Sequence, residues 1–179
     1  MSSCVVIDTN VLLVANGGHP DVSDACRLRC IDALQAAAAT HTPVIDDAFL
    51  ILGEYLHKLQ PGRGKGVGDV FLKWLLQHAA SARVERVAIH TRGPDHYVEF
   101  PDAELQEVFD PADRKFVAVA HAHPQHPPIW QAADSKWLDW WPALAGAGVT
   151  VVFLCPDDAC RFHDHKFPDR PCPALPPHE

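Results

Sequence analysis

Five short apolar segments alternate along this chain with longer stretches of helical periodicity. Short apolar runs bounded by turn residues predict buried strands, and apolar residues spaced three and four apart predict amphipathic helices. Because a right-handed strand–helix–strand unit lays its helix against the sheet, the alternation predicts a three-layer α/β/α domain. Its central sheet is expected to be mostly parallel, with about five strands.

The expected strands lie at about residues 4–8, 42–46, 84–89, 128–133 and 149–154. The expected helices lie at about residues 22–38, 47–59, 67–80, 110–121 and 135–145. Between them, residues 90–109 alternate only weakly, which predicts an irregular strand or a hairpin followed by a short helical turn.

The length of 179 residues and the hydrophobic content of 47% suit one domain of ordinary size. We expect this domain to cover residues 1–154. Residues 155–179 hold six of the sixteen prolines and show little periodicity. They are expected to form a tail that packs on the core or is partly disordered.

The chain has no apolar run of about 18 residues and no basic, apolar leader, so we expect a cytoplasmic protein without a membrane span. Six cysteines are not dense for this length, and Cys26 and Cys30 lie one helical turn apart. Most of the cysteines are therefore expected to be reduced thiols.

The net charge of −8 argues against a protein that holds nucleic acid through its overall charge. Residues 60–92 differ from the rest, with six cations against two carboxylates and a local net charge of +4. This segment suits a basic surface beside an acidic metal centre, or simply a solvated charged face.

Asp8 follows the apolar run Cys4–Ile7, at the carboxyl end of the first expected strand. Open α/β sheets bind their ligands at this edge. A buried, unpaired carboxylate is costly, but the cost falls if further acidic side chains converge with it on a cation.

Three other acids occupy comparable places. Glu54 lies beside apolar residues in a helix, Asp113 begins a core-facing helical stripe, and Asp134 follows an expected strand. Each has an ordinary alternative: a boundary glutamate for Glu54 and a helix cap for Asp113 or Asp134. Together the four carboxylates predict a site for a hard divalent metal ion, in which like charges raise one another's pKa.

The motifs that hold these acids resemble those of the PIN-domain nucleases. The resemblance rests on IDTNVLLVANG at 7–17, on the helix ending in Glu54, on DPADRKFVAVAHAH at 110–123, on the aspartate of AADSKW, and on the terminal strand GVTVVFL. It implies a PIN-like fold and a divalent-metal-dependent endoribonuclease. The four acids, Asp8, Glu54, Asp113 and Asp134, are then catalytic and hold Mg²⁺ or Mn²⁺, with Asn10 as their polar neighbour.

The family often acts as the toxin of a toxin–antitoxin pair, so the expected partners are RNA, an antitoxin protein and a second copy of the chain. Arg63, Lys65 and Arg114 are candidates for contacting the RNA backbone, together with Asn10. Arg63 and Lys65 belong to a glycine-rich segment, residues 60–68, that is expected to be a mobile loop or a loosely formed helix start. It lacks the Gly-Lys-Ser/Thr ending of a phosphate-binding P-loop.

Two other functions remain open. The same crevice suits a catalytically silent PIN-like module that binds RNA or protein, and a strand-end aspartate also begins the haloacid-dehalogenase-like phosphatases. The phosphatase chemistry needs a second aspartate two residues on, where this chain has Asn10.

A zinc site in the tail is not expected, because its cysteines and histidines lack the paired Cys-x2-Cys spacing. The candidate ligands are Cys155, Cys160, His163, His165 and Cys172. His121, His123 and His126 are expected to stay solvated.

Overall fold

The computed structural model describes residues 3–177. It contains a five-stranded parallel sheet flanked by helices, the three-layer α/β/α architecture that the alternation predicts. The strands are β1 (Ser3–Ile7), β2 (His41–Asp46), β3 (Glu85–Val87), β6 (Ile129–Gln131) and β7 (Val151–Phe153), and a separate antiparallel hairpin holds β4 (Thr91–Gly93) and β5 (His96–Tyr97).

The strand order in the sheet is β3-β2-β1-β6-β7. The chain therefore adds β2 and then β3 on one side of β1, and later adds β6 and β7 on the other side. In open α/β sheets this reversal of order opens a crevice at the carboxyl ends of the strands. Asp8, which follows β1, lies at that point.

The helices in chain order are α1 (Thr9–Ala15), α2 (Asp24–Ala39), α3 (Leu50–Lys58), α4 (Val67–His78), α5 (Ala103–Val108), α6 (Arg114–Ala122), α7 (Trp137–Gly146) and α8 (Pro156–Lys166). Sequence periodicity did not predict α1 or α8. The short helix α1 begins directly after β1 because one oxygen of Asp8 accepts the backbone N–H of Asn10 and caps it.

Helix α6 is buried on all sides, since every residue from Arg114 to Ala120 is buried. The sheet covers one side, and the segment from the hairpin to α5 covers another: Arg114 donates to the carbonyls of Phe109 and Asp95, and His121 bonds the carbonyl of Glu99. The predicted hairpin and short helix of residues 90–109 are confirmed, and their role is to enclose α6.

Four of the six cysteines form disulfides, so the expectation of mostly reduced thiols is wrong. Cys26 of α2 is bonded to Cys155 at the start of α8, and Cys160 is bonded to Cys172. Cys4 and Cys30 are free and buried. The Cys26–Cys155 bond joins residues 129 positions apart, which no local spacing indicates.

Helix α8 packs on the core. Besides the disulfide, Asp158 accepts a hydrogen bond of 2.6 Å from the Ser23 hydroxyl, at the start of α2, and forms an ion pair with Arg161. Arg161 also donates to the carbonyl of Asp21. Of the two expectations for the tail, packing on the core therefore describes residues 156–166.

The glycine-rich segment packs against α1 and the start of α4. The Asn16 side chain accepts the N–H of Asp69, and Asp69 accepts the N–H of Gln60. A side chain at Gly66 or Gly68 would collide with Asn16 or with the backbone of α1, so these glycines permit the close approach of the segment to α1. As predicted, α4 begins at residue 67.

Within residues 3–177, none of the helices is both long enough and apolar enough to cross a membrane.

The two disulfides should differ in their contribution to stability, because closing a longer loop removes more entropy from the unfolded chain. The loop-entropy model gives about 5 kcal/mol for Cys26–Cys155 and about 3 kcal/mol for Cys160–Cys172. The Cys26→Ser/Cys155→Ser variant should therefore lose more unfolding free energy in urea than Cys160→Ser/Cys172→Ser. Equal losses of unfolding free energy, or a larger loss for the second pair, would contradict a dominant contribution of the disulfide between α2 and α8.

Candidate metal centre

Four acidic side chains converge at the carboxyl edge of the sheet, around β1. Asp8 follows β1, Asp134 follows β6, Glu54 lies in α3, and Asp113 precedes α6. Each of the other three acids raises the pKa of Asp8, so the structure brings all four within electrostatic reach of one another.

Asp8 is 1% exposed, and its two oxygens have different surroundings. Oδ1 accepts the N–H of Asn10 at 2.8 Å, whereas Oδ2 is buried without a hydrogen-bond partner. Burial first, and then the charge of Asp113, raise the pKa of Asp8 well above its ordinary value. A buried acceptor without a donor is rare in folded proteins and calls for a proton or a cation.

Asp113 occupies the N-cap position of α6 but makes no side-chain capping hydrogen bond. Asp110 makes the local hydrogen bond in the turn before α6, because its Oδ1 accepts the N–H of Ala112. Its Oδ2 pairs with Lys136 at 2.5 Å. Burial, followed by repulsion from Asp134, raises the pKa of Asp113 to about 7. The capping alternative for Asp113 is therefore not what the structure shows.

Asp134 combines two roles. Its Oδ1 accepts the N–H of Lys136, a local turn bond before α7, while its charge raises the pKa of both Asp8 and Asp113. The buried side chain of Gln131 holds it in place by accepting the N–H of Asp134 at 3.1 Å. Lys136 rather than Asp134 occupies the N-cap position of α7, so the capping alternative for Asp134 is not what the structure shows.

Glu54 differs from the other three acids, because both of its oxygens are engaged. The Thr9 hydroxyl donates to Oε1 at 2.5 Å, and the buried ammonium group of Lys115 pairs with Oε2. The side chain of Glu54 is 18% exposed, so it points inward as its apolar helical neighbours predict. Lys115 reduces the net negative charge of the cluster from inside.

The four residues predicted to contact the substrate differ in their exposure to solvent. Asn10 is half-buried beside Asp8, whereas Arg63 and Lys65 are exposed on the loop anchored to Asn16. Arg114 is 4% exposed, and its guanidinium group serves backbone carbonyls. The assignment of Arg114 to RNA binding is therefore corrected. Arg114 is buried, and it holds α6 in place by donating to the backbone carbonyls of the segment that covers this helix.

Among residues 3–177, two groups bring three candidate metal-ligand atoms within 4.8 Å of one another: Cys26, Cys30 and Cys155, and Cys4, Glu85 and His123. The four acids are more widely spaced than this. Neither of the two groups forms an open metal site. The disulfide occupies two thiols of the first group. In the second, His123 Nδ1 accepts the N–H of Gln125, so Nε2 carries the proton and donates to Glu85 at 2.7 Å.

Of the five candidate zinc ligands of the tail, disulfides occupy Cys155, Cys160 and Cys172. The expectation that His121, His123 and His126 stay solvated is wrong for His123, which is buried. His121 is half-buried, and His126 is exposed.

Three contributors to the site were not identified from the sequence: Thr9, Lys115 and Gln131. Thr9 and Lys115 lie close in sequence to Asp8 and Asp113, but their common contact with Glu54 depends on how α1, α3 and α6 pack. A local signal for Lys115 existed, because a lysine within an apolar helical run requires an internal partner if the helix is enclosed.

Comparison with models of known protein families, with curated proteins and with solved structures found no match for this chain. The site is therefore described by its own geometry alone.

The raised pKa of Asp113 should make the metal-free protein less stable as pH rises. The unfolded chain ionises near the ordinary value of 3.8, whereas folded Asp113 keeps its proton up to about 7. In EDTA, unfolding free energy should fall over this interval, and Asp8 acts in the same direction. Asp113→Asn should flatten the fall, measured as thermal midpoints between about pH 4 and about pH 8, with a shift of about 2–4 °C per kcal/mol.

Asp110→Asn provides the control, because Lys136 lowers the pKa of Asp110 and its stabilisation is instead lost as pH falls. If wild type and Asp113→Asn had the same pH slope, Asp113 would not share a crowded site with Asp8 and Asp134.

Proposed function

We propose that this chain is a divalent-metal-dependent ribonuclease of the PIN-domain type, acting through Asp8, Glu54, Asp113 and Asp134. The observation that carries the proposal is the buried Oδ2 atom of Asp8, which has no hydrogen-bond partner and faces a cluster of like charges. Such an arrangement is stable at neutral pH when a cation is present to neutralise it.

The donor set fits Mg²⁺ or Mn²⁺. All candidate ligand atoms are carboxylate oxygens, which hard divalent ions prefer, and neither thiol nor imidazole takes part. Asp8, Asp113 and Asp134 would hold the ion, because each has carboxylate capacity beyond its local hydrogen bond. A bound ion of this kind supplies charge to the phosphoryl oxygens and lowers the pKa of a water molecule.

The other residues of the site would orient the reaction. Glu54, fixed by Thr9 and Lys115, would orient the attacking water. The Asn10 amide lies beside Asp8 and would donate to the substrate phosphate. Lys115 would limit the repulsion between Glu54 and the approaching polyanion.

RNA as the substrate, with an antitoxin protein and a second copy of the chain as partners, follows from the resemblance of the motifs. The exposed cations Arg63 and Lys65 support a polyanionic substrate. They belong to the segment whose Gly66 and Gly68 pack against the end of α1. From there they would contact backbone phosphates of a bound single strand.

A second candidate is the catalytically silent binding module. The observation that favours it is the Lys115–Glu54 ion pair, which engages one of the four acids with an internal cation. In that case the crevice would bind RNA or protein without cleaving it.

Cleavage of mixed RNA should require Mn²⁺ or Mg²⁺ and should stop in EDTA. Asp8→Asn should lower the rate by more than about 100-fold, because removal of even an indirect metal partner commonly costs 10- to 100-fold. Asp47→Asn, an exposed neighbour of β2, is the matched control and should cleave at the wild-type rate. Metal-dependent cleavage by Asp8→Asn at the wild-type rate would exclude the proposed site, and absence of cleavage by folded wild type would favour the silent module.

The double variant Arg63→Ala/Lys65→Ala should bind single-stranded RNA more weakly and with a smaller dependence on salt. Each lost phosphate contact lowers the slope of log affinity against log salt by about 0.7, so two contacts give about 1.4. Metal binding should not change. The control variant Lys73→Ala/Arg92→Ala removes the same charge from other exposed positions, and an equal effect of both variants would show that only net charge matters.

A further inference from the structure

A pocket of about 300 Å³ lies next to the acidic cluster and shares Asn10 and Asp134 with it. Its other walls come from the segment between α1 and α2, from the segment after β6, and from α8. They include His19, Asp21, Ser135 and Phe162. The volume is at the lower end for ligand pockets, which suits one flat ring system rather than a large cofactor.

The pocket has an aromatic wall. The rings of His19 and Phe162 are stacked, with centroids 5.3 Å apart and an angle of 27° between their planes. The guanidinium group of Arg161 lies over the Phe162 ring at 4.6 Å from its centroid. Stacked aromatic side chains beside a cation bind the flat faces of nucleobases, whatever their sequence.

Polar groups surround this aromatic wall. Asn10 supplies an amide, Ser135 a hydroxyl group and Asp21 a carboxylate, so the pocket offers donors and acceptors to the edge of a ring. A wholly apolar ligand would leave these groups without partners.

The wall is held rigidly although it comes from a distant part of the chain. The Cys26–Cys155 disulfide, the Ser23–Asp158 hydrogen bond and the bond from Arg161 to the Asp21 carbonyl join α8 to the start of α2. Phe162 is therefore placed before a ligand arrives, which limits the entropy lost on binding.

We infer that this pocket binds a single unpaired nucleobase, that of the nucleotide adjoining the phosphate at the acidic cluster. The inference rests on the proposed function for the position of that phosphate. The exposed ring of His19, with Phe162 packed behind it, provides the stacking surface, and Asn10, Asp21 and Ser135 contact the edge of the base. The pocket thereby makes the site selective for single strands, because a paired base cannot enter it.

The inference is tested by a competition binding experiment in Ca²⁺. Nucleoside 5′-monophosphates or ribose 5-phosphate displace a labelled single-stranded RNA, and the affinity of each competitor is measured. The phosphate and sugar are common to both competitors, so the base accounts for the difference between them. The best of the four nucleotides should bind wild type about tenfold more tightly than ribose 5-phosphate, as expected for one stacked base.

The ratio of the affinity for the best nucleotide to the affinity for ribose 5-phosphate should fall close to one in Phe162→Leu and in His19→Ala. The second variant changes an exposed residue, so it keeps the test valid if Phe162→Leu is unstable. Phe167→Leu and His165→Ala are the matched controls. They lie at the end of α8, do not line the pocket, and should keep the tenfold ratio.

A ratio near one in wild type, or an unchanged ratio in both pocket variants, would overturn the nucleobase pocket. This failure is distinguishable from failure of the proposed function, which is read from metal-dependent cleavage and its loss in Asp8→Asn. Selective nucleotide binding without cleavage would retain the pocket and point to the silent module. Cleavage without nucleotide selectivity would retain the nuclease and remove the pocket.

Discussion

Burial of the Asp8 carboxylate among three other acids is the constraint on which this structure depends. One oxygen of Asp8 caps α1, which turns the chain back along the sheet directly after its central strand. The other oxygen has no partner, and repulsion from Asp113 and Asp134 adds to the cost of its charge. The internal cation Lys115 pairs with Glu54 and so offsets part of the negative charge of the cluster, and the proposed divalent ion would offset more of it.

The scaffold around this cluster is unusually enclosed. Helix α6 presents no face to solvent between Arg114 and Ala120, because the hairpin and α5 cover the side that the sheet does not. Arg114 and Lys115 are therefore used internally, the first to hold this cover and the second to pair with Glu54. Arg63 and Lys65, which are proposed to contact a polyanion, are instead exposed on the loop between α3 and α4.

Helix α8 links the tail of the chain to the site. The disulfide and the Ser23–Asp158 hydrogen bond fix it on α2, and this places Phe162 against His19 at the edge of the acidic crevice. Four cysteines are paired, and disulfides persist in oxidising surroundings. The same pairing makes the aromatic wall of the pocket dependent on the redox state of Cys26 and Cys155.

By itself, the sequence determined the architecture and the positions of the four acids, because strand and helix periodicity and strand-end position are local properties. Local pattern was insufficient for α1, whose start depends on a side-chain cap, and for α8, whose polar sequence becomes helical against α2. Only the tertiary structure decided that Lys115 and Thr9 meet Glu54, that Cys26 bonds Cys155 and that Phe162 faces His19. These partners are distant along the chain, and their contacts depend on how the helices pack on the sheet.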